Sequence, residues 1–286
     1  MSVVVMGYRN ASTIVDAVRS VVEQIEPGVD VVVVTSGPEH GTDAVRAACP
    51  EVAIHAVSDR LMPGGARNRG LAASAGEVVA FLAADCLAMP GWVSGRRQAH
   101  AAGRRVVAGS VIGAGRRTPW AVASWLIGYS NRLPGLPSEY VGPESARRHS
   151  LSIDRALLVE LGGFNEHVRL GEDTALADAI LERGIPIWFE ASVRLAHRGP
   201  DGPVRLLRDE FRRGRRLRDH QRATGSVKRE WSVPRRAWAK TRYSLAQGRR
   251  FGQVPLPLLA VAAPFLAAAV VCQLLGAVER VSRTPR

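Results

Sequence analysis

The sequence predicts an α/β fold in which helices cover both faces of a mostly parallel β-sheet. Two observations predict it. Strand-like and helix-like segments alternate through roughly the first two hundred residues, and the strand-like runs are apolar on both faces. Such runs are typical of parallel strands whose connecting helices pack on either side of the sheet. The 286 residues, 46% of them hydrophobic, suffice for one large core or two modest ones and argue against a disordered or fibrous protein.

Four strand-like segments precede the first candidate site. The β-branched run at residues 2–6 is the first strand, and Asn10 behind it is a good N-cap for a helix with apolar residues at helical spacing. The other three strands are DVVVVTS at 30–36, EVAIHAVS at 51–58 and GEVVAFLAAD at 76–85. Ligands of such sheets bind beyond the carboxyl ends of the strands. We therefore expect GYRN (7–10), TSG (35–37) and Asp85 to meet at one edge of the sheet.

The fourth strand runs into FLAADC, residues 81–86, which carries a single carboxylate, Asp85. A second carboxylate two positions earlier would make a metal-binding pair, but Ala83 stands there. The three cysteines lie far apart and in no C-x-x-C spacing, which favours a reducing cytoplasm and indicates neither a disulfide framework nor a zinc site. To hold a metal ion, Asp85 would therefore need ligands from elsewhere in the chain.

A second informative stretch runs from residue 162 to residue 199. A glycine turn at Gly171 delivers the adjacent carboxylates Glu172 and Asp173 to the start of a predicted helix, and His197 comes after the next strand. Acidic residues at a helix start also satisfy capping and the helix dipole, so the pair taken alone is equally consistent with a structural role. A lone histidine is likewise more often a surface or core residue than a metal ligand.

The C-terminal part of the chain carries nearly all of its net charge and its longest apolar run. Residues 204–250 hold 16 Lys or Arg against 4 Asp or Glu, which accounts for 12 of the net charge of +13. Residues 254–278 contain no charged side chain and, at about 1.5 Å per helical residue, are long enough to cross a bilayer. Basic residues beside such a run favour attachment to anionic membrane lipids. The larger basic surplus on the N-terminal side predicts that the main domain is cytoplasmic.

Two alternatives stay open for these segments. Three prolines interrupt the apolar run, so an interfacial hairpin or a buried helix competes with a single transmembrane helix. The basic segment could be a solvated cationic helix, but its densest part contains one aromatic residue, Phe211, and lacks the interleaved aromatics that stack on bases. We therefore predict no nucleic-acid partner.

The predicted domains are 1–203 for the α/β domain, 204–250 for a basic interfacial helical segment and 251–286 for a hydrophobic membrane-anchoring segment with a short tail.

Several blocks of the sequence resemble, in their order and spacing, the family 2 glycosyltransferases, which are nucleotide-sugar-dependent enzymes with the GT-A fold. The blocks are MPGGARNRGLAASAGEVVAFLAADC at 62–86, GGFNEHVRLGEDTALADAILERG at 162–184 and a histidine downstream of them. The resemblance covers roughly residues 2–199. It implies that the predicted sheet is the Rossmann-like sheet of a GT-A domain.

The resemblance places five residues around a nucleotide-sugar donor. Tyr8 and Asn10 stand in the turn that lines the nucleotide pocket of the family, although the usual proline of that turn is missing. Thr35 takes the place of an acid that reads the nucleobase in relatives. Arg67 and Asn68 fall where the family lines its donor pocket.

The same resemblance implies the metal ligands and the catalytic base. Asp85 matches the last acid of the D-x-D motif, which touches the donor ribose and the metal, while Ala83 replaces the first acid. Asp85 and His197 are the implied protein ligands of Mn²⁺ or Mg²⁺. Glu172 and Asp173 match the E-D pair, in which Asp173 would be the general base and Glu172 would position it or the acceptor.

These features imply an inverting, metal-dependent glycosyltransferase that moves a single sugar to a hydroxyl of a membrane or lipid-linked glycan acceptor, in cell-envelope glycan biosynthesis. Processive members of the family carry a Gln-x-x-Arg-Trp motif, which HQRATG at 220–225 does not fit. Arg147, Arg148 and His149 precede the GGF turn, where the family shapes its acceptor pocket, and are candidates for phosphate contacts. The alternative is a non-catalytic relative that binds a sugar nucleotide or a partner at the membrane, since two family acids are replaced.

Overall fold

The computed structural model describes residues 1–38, 41–142, 150–223 and 233–278. The chain divides into two compact units. The first unit comprises Met1–Ala114 and Asn131–Arg198, and the second comprises Gly115–Ser130 and Gly199–Arg286. The three-part division expected from the sequence stays a prediction. Both of its C-terminal segments fall in the second unit, which also takes in Gly115–Ser130.

The elements follow one another in the order expected of an α/β chain that ends in helices. The strands are β1 (Ser2–Tyr8), β2 (Asp30–Ser36), β3 (Ala53–Val57), β4 (Val78–Ala83), β5 (Cys86–Ala88), β6 (Val106–Ala114), β7 (Glu139–Val141), β8 (Ser152–Asp154) and β9 (Ile187–Arg198). The helices are α1 (Ile14–Val22), α2 (Thr42–Ala48), α3 (Pro63–Ala73), α4 (Trp92–Ala101), α5 (Pro119–Tyr129), α6 (Arg155–Glu160), α7 (Glu172–Glu182), α8 (Pro203–Ala223), α9 (Val233–Arg250) and α10 (Leu256–Val278).

One sheet forms the centre of the first unit, with the strand order β3-β2-β1-β4-β8-β6-β9-β5 and with β7 beside β9. The half from β3 to β4 is parallel, as predicted. In the other half β6 and β9 are parallel, whereas β8 pairs antiparallel with β4 and β6, and β9 pairs antiparallel with β5 and β7. The sheet is therefore mixed, and the prediction of parallel strands holds for its N-terminal half.

Burial explains why the first strands are apolar on both faces. Val3, Val4 and Val5 point alternately to the two faces of the sheet, and all three are 0% exposed. Helix α1 buries apolar residues at helical spacing, namely Ile14, Ala17, Val18 and Val21. Helix α3 approaches β1 so closely that a Cβ atom on Gly70 would lie 2.2 Å from Val4 Cγ1. Glycine at this position therefore lets α3 pack directly on the strand.

The carboxyl ends of the four parallel strands lie at the same edge of the sheet. Met6 in β1 pairs with Val34 in β2 on one side and with Ala83 in β4 on the other. Ser36 at the end of β2 pairs with Val57 at the end of β3. This register confirms that the segments after β1, β2 and β4 converge on one edge.

The second unit is built from α5, α8, α9 and α10. Helix α10 packs against the other three, and its contact with α8 is close: a Cβ atom on Gly214 would lie 1.9 Å from the carbonyl oxygen of Gln273. A Cβ atom on Gly276 would similarly lie 2.1 Å from the carbonyl oxygen of Phe211. Among the described residues, α10 is the helix that is long and apolar enough to cross a membrane, although 39% of its most apolar stretch is buried within the protein.

A buried polar network joins three helices of this unit. Gln273 on α10 donates a hydrogen bond of 2.8 Å to Glu210 on α8 and accepts one from Lys240 on α9. Arg213 contacts the same Glu210 carboxylate at 3.4 Å. Burial raises the pKa of Glu210 and lowers the pKa of Lys240 to about 8. The polar groups of α8 and α9 thus depend on α10 staying packed beside them.

Candidate active site

Strand pairing brings the predicted metal ligands together. The short strand β5 follows Asp85 and pairs antiparallel with β9, with Cys86 directly opposite His197. The ladder continues to Asp85, whose carbonyl oxygen accepts a hydrogen bond of 3.0 Å from the backbone N–H of Arg198. As a result Asp85 Oδ2 and His197 Nε2 lie 3.6 Å apart, with the two side chains 47% and 27% exposed. An ion arriving from solvent could reach both groups.

Cys86 is a third potential ligand that the sequence analysis did not find. Its Sγ atom lies 3.5 Å from Asp85 Oδ1, and the ligand atoms of Asp85, Cys86 and His197 all lie within 4.8 Å of one another. Burial raises the pKa of the Cys86 thiol well above its ordinary value, and the neighbouring Asp85 carboxylate raises it further. Only the cross-strand register reveals this proximity, because Cys86 and His197 are far apart in the sequence.

The predicted catalytic acids Glu172 and Asp173 lie in the first turn of α7. They follow Gly171, the N-cap residue, whose backbone is in the left-handed conformation (φ 93°). Glu172 is buried and accepts a hydrogen bond of 2.5 Å from Arg67 Nη1 on α3. The Arg67 guanidinium also lies over the ring of Phe164, 5.1 Å from its centroid. Arg67 and Glu172, predicted for different roles, therefore form one ion pair that anchors the start of α7. Asp173 follows directly, with Oδ1 accepting a hydrogen bond of 2.9 Å from the backbone N–H of Thr174.

Asn68 uses both ends of its amide to hold the loop that precedes α7. Its Nδ2 donates to the carbonyl oxygen of Phe164 at 2.9 Å and to Glu166 Oε1 at 2.7 Å. Its Oδ1 accepts from the backbone N–H of Phe164 at 2.8 Å. Gly163 has a φ of +75°, and a Cβ atom there would lie 2.6 Å from Asn68 Oδ1. Asn68 thus shapes the GGF turn, and its predicted contact with the donor stays a prediction.

Tyr8 is the last residue of β1, and Asn10 lies in the turn that follows it. Asn10 Oδ1 accepts a hydrogen bond of 2.9 Å from the backbone N–H of Tyr8. The Tyr8 ring lies against Gly37 after β2, where a Cβ atom would come within 2.6 Å of Tyr8 Cε2. The guanidinium of Arg60 lies 4.8 Å from the Tyr8 ring centroid, a contact that the sequence did not predict. The turn therefore presents an aromatic ring with an arginine beside it, both able to face a planar ligand.

The side chain of Thr35 is more deeply buried than its predicted contact with the donor requires. Its side chain is 0% exposed, and Oγ1 lies 3.2 Å from the hydroxyl of Thr42 on α2. Ser36 beside it is 1% exposed. The prediction that Thr35 contacts the donor therefore depends on the backbone rather than the hydroxyl. The predicted acceptor residues Arg147, Arg148 and His149 lie outside the described residues.

Comparisons with known proteins agree with this architecture. The model of the family described as "Glycosyl transferase family 2" matches residues 2–152. The mannosyltransferase PcManGT from Pyrobaculum calidifontis, solved with GDP-Man and Mn²⁺, is similar with a TM-score of 0.61 and 19% identity, over 96% of this chain and 86% of that one. TarS 1-349 from S. aureus, solved with UDP-GlcNAc, is similar with a TM-score of 0.55 and 16% identity, over 96% and 90% of the two chains. These likenesses concern the fold, and they confirm the predicted GT-A fold.

A curated relative is similar over a shorter stretch. The succinoglycan biosynthesis protein ExoO of Rhizobium meliloti (strain 1021) is 39% identical over 89 residues, which are 30% of this chain. The match spans about a quarter of that protein's length, 26%.

Proposed function

The chain belongs to glycosyl transferase family 2, and on that premise we propose that it is an inverting, metal-dependent glycosyltransferase. It would move a single sugar from a nucleotide-sugar donor to a hydroxyl of a membrane or lipid-linked glycan acceptor. The observation that carries this proposal is the β5–β9 pairing that places His197 Nε2 3.6 Å from Asp85 Oδ2. Carboxylate oxygen and imidazole nitrogen are both ligands that divalent cations accept, and here they converge at one strand end.

The two side chains fit the proposed cation. Two ligands at about 2.1 Å from one octahedral ion lie roughly 3 Å apart, so a small closure of the observed 3.6 Å suffices. Asp85 and His197 would hold Mn²⁺ or Mg²⁺, and His197 favours Mn²⁺ because imidazole is a poor ligand for Mg²⁺. Such an ion would supply Lewis-acid neutralisation of the diphosphate leaving group.

Asp173 is the proposed general base. As the acceptor oxygen bonds to the anomeric carbon, the bond from that carbon to the donor diphosphate breaks, and the diphosphate leaves with the electron pair. The acceptor hydroxyl proton passes to the Asp173 carboxylate, and attack from the face opposite the leaving group inverts the anomeric configuration. Glu172 positions Asp173, since its own carboxylate is engaged by Arg67 at 2.5 Å.

The donor nucleotide is proposed to be read mainly by backbone groups and by the Tyr8 turn. Ala83 offers no carboxylate to the nucleoside, and the Thr35 hydroxyl is turned toward Thr42 in the core. The similar structures hold different donors, GDP-Man in PcManGT and UDP-GlcNAc in TarS. Thermal shifts with UDP, GDP, dTDP and Mn²⁺ test this part. Because Thr35 and Ala83 replace acids that contact the nucleoside in relatives, we propose a donor other than a UDP-sugar, and stabilisation by UDP alone would contradict this.

A membrane or lipid-linked acceptor is proposed from the surface of the second unit. The exposed residues of α10 form one stripe that contains only apolar side chains: Leu256, Pro257, Ala260, Val261, Pro264, Ala268, Val271, Leu275 and Val278. On α9, Trp238 is 65% exposed and Tyr243 is 49% exposed, and the guanidinium of Arg242 lies 5.7 Å from the Trp238 ring centroid. An exposed apolar stripe and exposed Trp, Tyr and Arg side chains in one unit are typical of proteins at the membrane interface.

The packing of α8 on α10 favours interfacial attachment over a single span. If α10 crossed the bilayer while packed as described, α8 would enter the hydrocarbon with it. Arg205 and Arg212 on α8 are 64% and 59% exposed, and each arginine at the centre of a bilayer costs about 3 kcal/mol. We therefore propose that α10 lies in the plane of the cytoplasmic leaflet, held by anionic lipids around the basic helices. We propose a cell-envelope glycan as the product class, and the similarity to a protein named for succinoglycan biosynthesis supports a glycan product.

The replacement Asp173→Asn tests the proposed reaction. We expect it to abolish sugar transfer, because the amide cannot accept the acceptor proton, while donor affinity measured calorimetrically with Mn²⁺ stays within about twofold. Glu182→Gln, at the other end of the same helix, is the matched control and should leave transfer unchanged. Turnover that persists in Asp173→Asn would overturn the base assignment. If the native protein binds the donor but neither transfers the sugar nor hydrolyses the donor, a non-catalytic relative is favoured instead.

A further inference from the structure

The cation site contains a sulfur atom that the proposed metal chemistry does not use. Cys86 pairs directly with His197 across β5 and β9, and directly opposed residues of an antiparallel pair project to the same face. Asp85 precedes Cys86 and turns its carboxylate toward the same point, with Oδ1 3.5 Å from Cys86 Sγ and Oδ2 3.6 Å from His197 Nε2. Oxygen, sulfur and nitrogen ligands from three residues therefore converge.

We propose that Asp85, Cys86 and His197 together form a binding site for thiophilic divalent cations, of which Zn²⁺ is the representative. The inference deepens the proposed metal-dependent function and rests on it only for the Asp85–His197 pair. In this assignment Mn²⁺ or Mg²⁺ uses the carboxylate and the imidazole, whereas Zn²⁺ recruits the thiolate as well.

The observed separations are close to those of a tetrahedral zinc site. With Zn–S of about 2.3 Å and Zn–N or Zn–O of about 2.0–2.2 Å, neighbouring nitrogen and oxygen ligands lie about 3.4 Å apart, and sulfur and oxygen about 3.6 Å apart. Here His197 Nε2 lies 3.6 Å from Asp85 Oδ2, Cys86 Sγ lies 3.5 Å from the other carboxylate oxygen, Oδ1, and the three residues offer ligand atoms within 4.8 Å of one another. Binding of one ion through a single carboxylate oxygen therefore requires a rotation of the Asp85 carboxylate and a small closure of the three side chains.

Ligand chemistry separates the two classes of cation. Thiolate is a soft ligand that Zn²⁺ and Co²⁺ accept and that Mg²⁺ does not. Binding forms a metal–sulfur bond as the thiol proton is released to solvent, with no change of oxidation state. Three protein ligands leave Zn²⁺ a single open position, whereas a diphosphate bound through two oxygens needs two. We therefore expect Zn²⁺ to compete with Mn²⁺ for the site and to inhibit transfer.

Cobalt absorption provides the direct test. The parent is full-length Cys49→Ser/Cys272→Ser, in which Cys86 is the only cysteine, titrated with Co²⁺. We expect a thiolate-to-cobalt charge-transfer band in the near ultraviolet, and we expect that adding Cys86→Ser removes it. If Cys86→Ser does not fold, Cys86→Ala takes its place. A parent protein that binds Co²⁺ without this band overturns the inference.

Zinc affinity provides a second readout that is independent of transfer. In competition with a chromogenic chelator, Cys86→Ser should bind Zn²⁺ at least about tenfold more weakly while its Mn²⁺ affinity changes by less than about twofold. Equal Zn²⁺ affinity in the two proteins contradicts the inference. If the cobalt band appears but no sugar transfer is found, the proposed function fails and the metal site stands. If sugar transfer depends on Mn²⁺ but the cobalt band is missing, the proposed function stands and the three-residue metal site fails.

Discussion

Arg67 links α3 to the start of α7, where the proposed general base Asp173 lies. Its guanidinium binds Glu172 at 2.5 Å, and the two side chains are 17% and 8% exposed. Arg67→Met would leave the Glu172 carboxylate buried without its partner, so we expect a loss of about 3 kcal/mol in unfolding free energy, measured by urea denaturation. Transfer should fall more than donor binding does, because Asp173 at the start of α7 would lose its fixed position.

The double variant Arg67→Met/Glu172→Gln separates charge burial from packing. It should recover more than half of the lost stability, since the unpaired charge is removed, while transfer stays low. The control is Arg46→Met, which breaks the exposed Arg46–Asp43 pair (63% and 97% exposed) and should change stability by less than about 0.5 kcal/mol. A stability loss in Arg67→Met no larger than in Arg46→Met would contradict the anchoring role.

The partly buried side chain of His100 on α4 should make the stability of the protein depend on pH. Burial, reinforced by the positive charge of Arg96 and opposed by Asp154, lowers the pKa of His100 to about 4, and the ring accepts or donates a hydrogen bond of 2.8 Å with Ser152 Oγ. Between pH 6.5 and 4 the unfolded chain therefore binds a proton at this residue that the folded protein does not. Stability should fall by about 2 kcal/mol as the pH drops through that window.

The measurement is urea denaturation at several pH values for the native protein and for His100→Gln. Glutamine does not titrate, so the unfolding free energy of the His100→Gln variant should decline less steeply than that of the native protein between pH 6.5 and 4. Identical slopes in the native protein and in His100→Gln would contradict the lowered pKa of His100.

Residue by residue, the sequence predicts side chains that carry a family pattern and misses those defined by register. Asp85 and His197 were predicted from the D-x-D position and the downstream histidine, and the structure places them 3.6 Å apart. The sequence does not indicate Cys86 as a ligand, because the spacing of cysteines along the chain carries no information about a partner across β5 and β9. The burial of Thr35 was also beyond prediction, since a polar residue at a strand end is as compatible with solvent as with a partner such as Thr42.

At the level of elements, the parallel half of the sheet was predictable and the antiparallel half was not. Strands β1, β2 and β4 contain continuous apolar runs, and His55 interrupts β3. The predicted positions of all four strands agree with the structure to within a few residues. Strands β5, β7 and β8 are three residues long, too short for any alternation to be read. Helix α5 groups with the C-terminal helices through contacts far apart in the chain, which local periodicity does not report.

The close contact between α8 and α10 predicts that replacing Gly214 on α8 destabilises the protein. Gly214→Ala would place a methyl group where the nearest atom, the Gln273 carbonyl oxygen, is 1.9 Å from the added carbon. Separating the helices should cost about 2 kcal/mol, more than the roughly 1 kcal/mol that alanine contributes to helix propensity. The control is Gly128→Ala in α5, whose nearest neighbour is Arg213 Nη1 at 3.4 Å and which should be neutral or stabilising. Thermal unfolding monitored by circular dichroism distinguishes the two.

For the whole molecule, the distribution of charge determines where it would bind a membrane. Outside residues 204–250 the chain has 23 basic and 22 acidic residues, from 39 − 16 and 26 − 4, so the attraction to anionic lipid comes from this segment. The apolar stripe on α10 lies in the same unit. Electrostatic attraction and apolar burial would thus both come from this unit, and the two act together in interfacial proteins.

The in-plane arrangement of α10 predicts a specific response to charge on its exposed stripe. Val261 and Leu275 are 55% and 46% exposed, and each would bury its side chain among lipid tails, contributing about 1.5 kcal/mol. Val261→Asp/Leu275→Asp should therefore weaken binding to anionic vesicles by at least about tenfold in cosedimentation. Ile25→Asp, an exposed apolar residue (41%) of the first unit, should leave vesicle binding unchanged.

Extraction from native membranes then separates the two modes of attachment. A helix lying in the interface is released by alkaline carbonate, because only part of its surface is buried in lipid, whereas a spanning helix stays with the bilayer. We expect the native protein in the carbonate supernatant and the double aspartate variant in the soluble fraction before extraction. Retention of the native protein in the carbonate pellet would mean that α10 spans the membrane. The basic helix α8 would then have to leave its contact with Gly276, and the Glu210–Gln273 hydrogen bond would break with it.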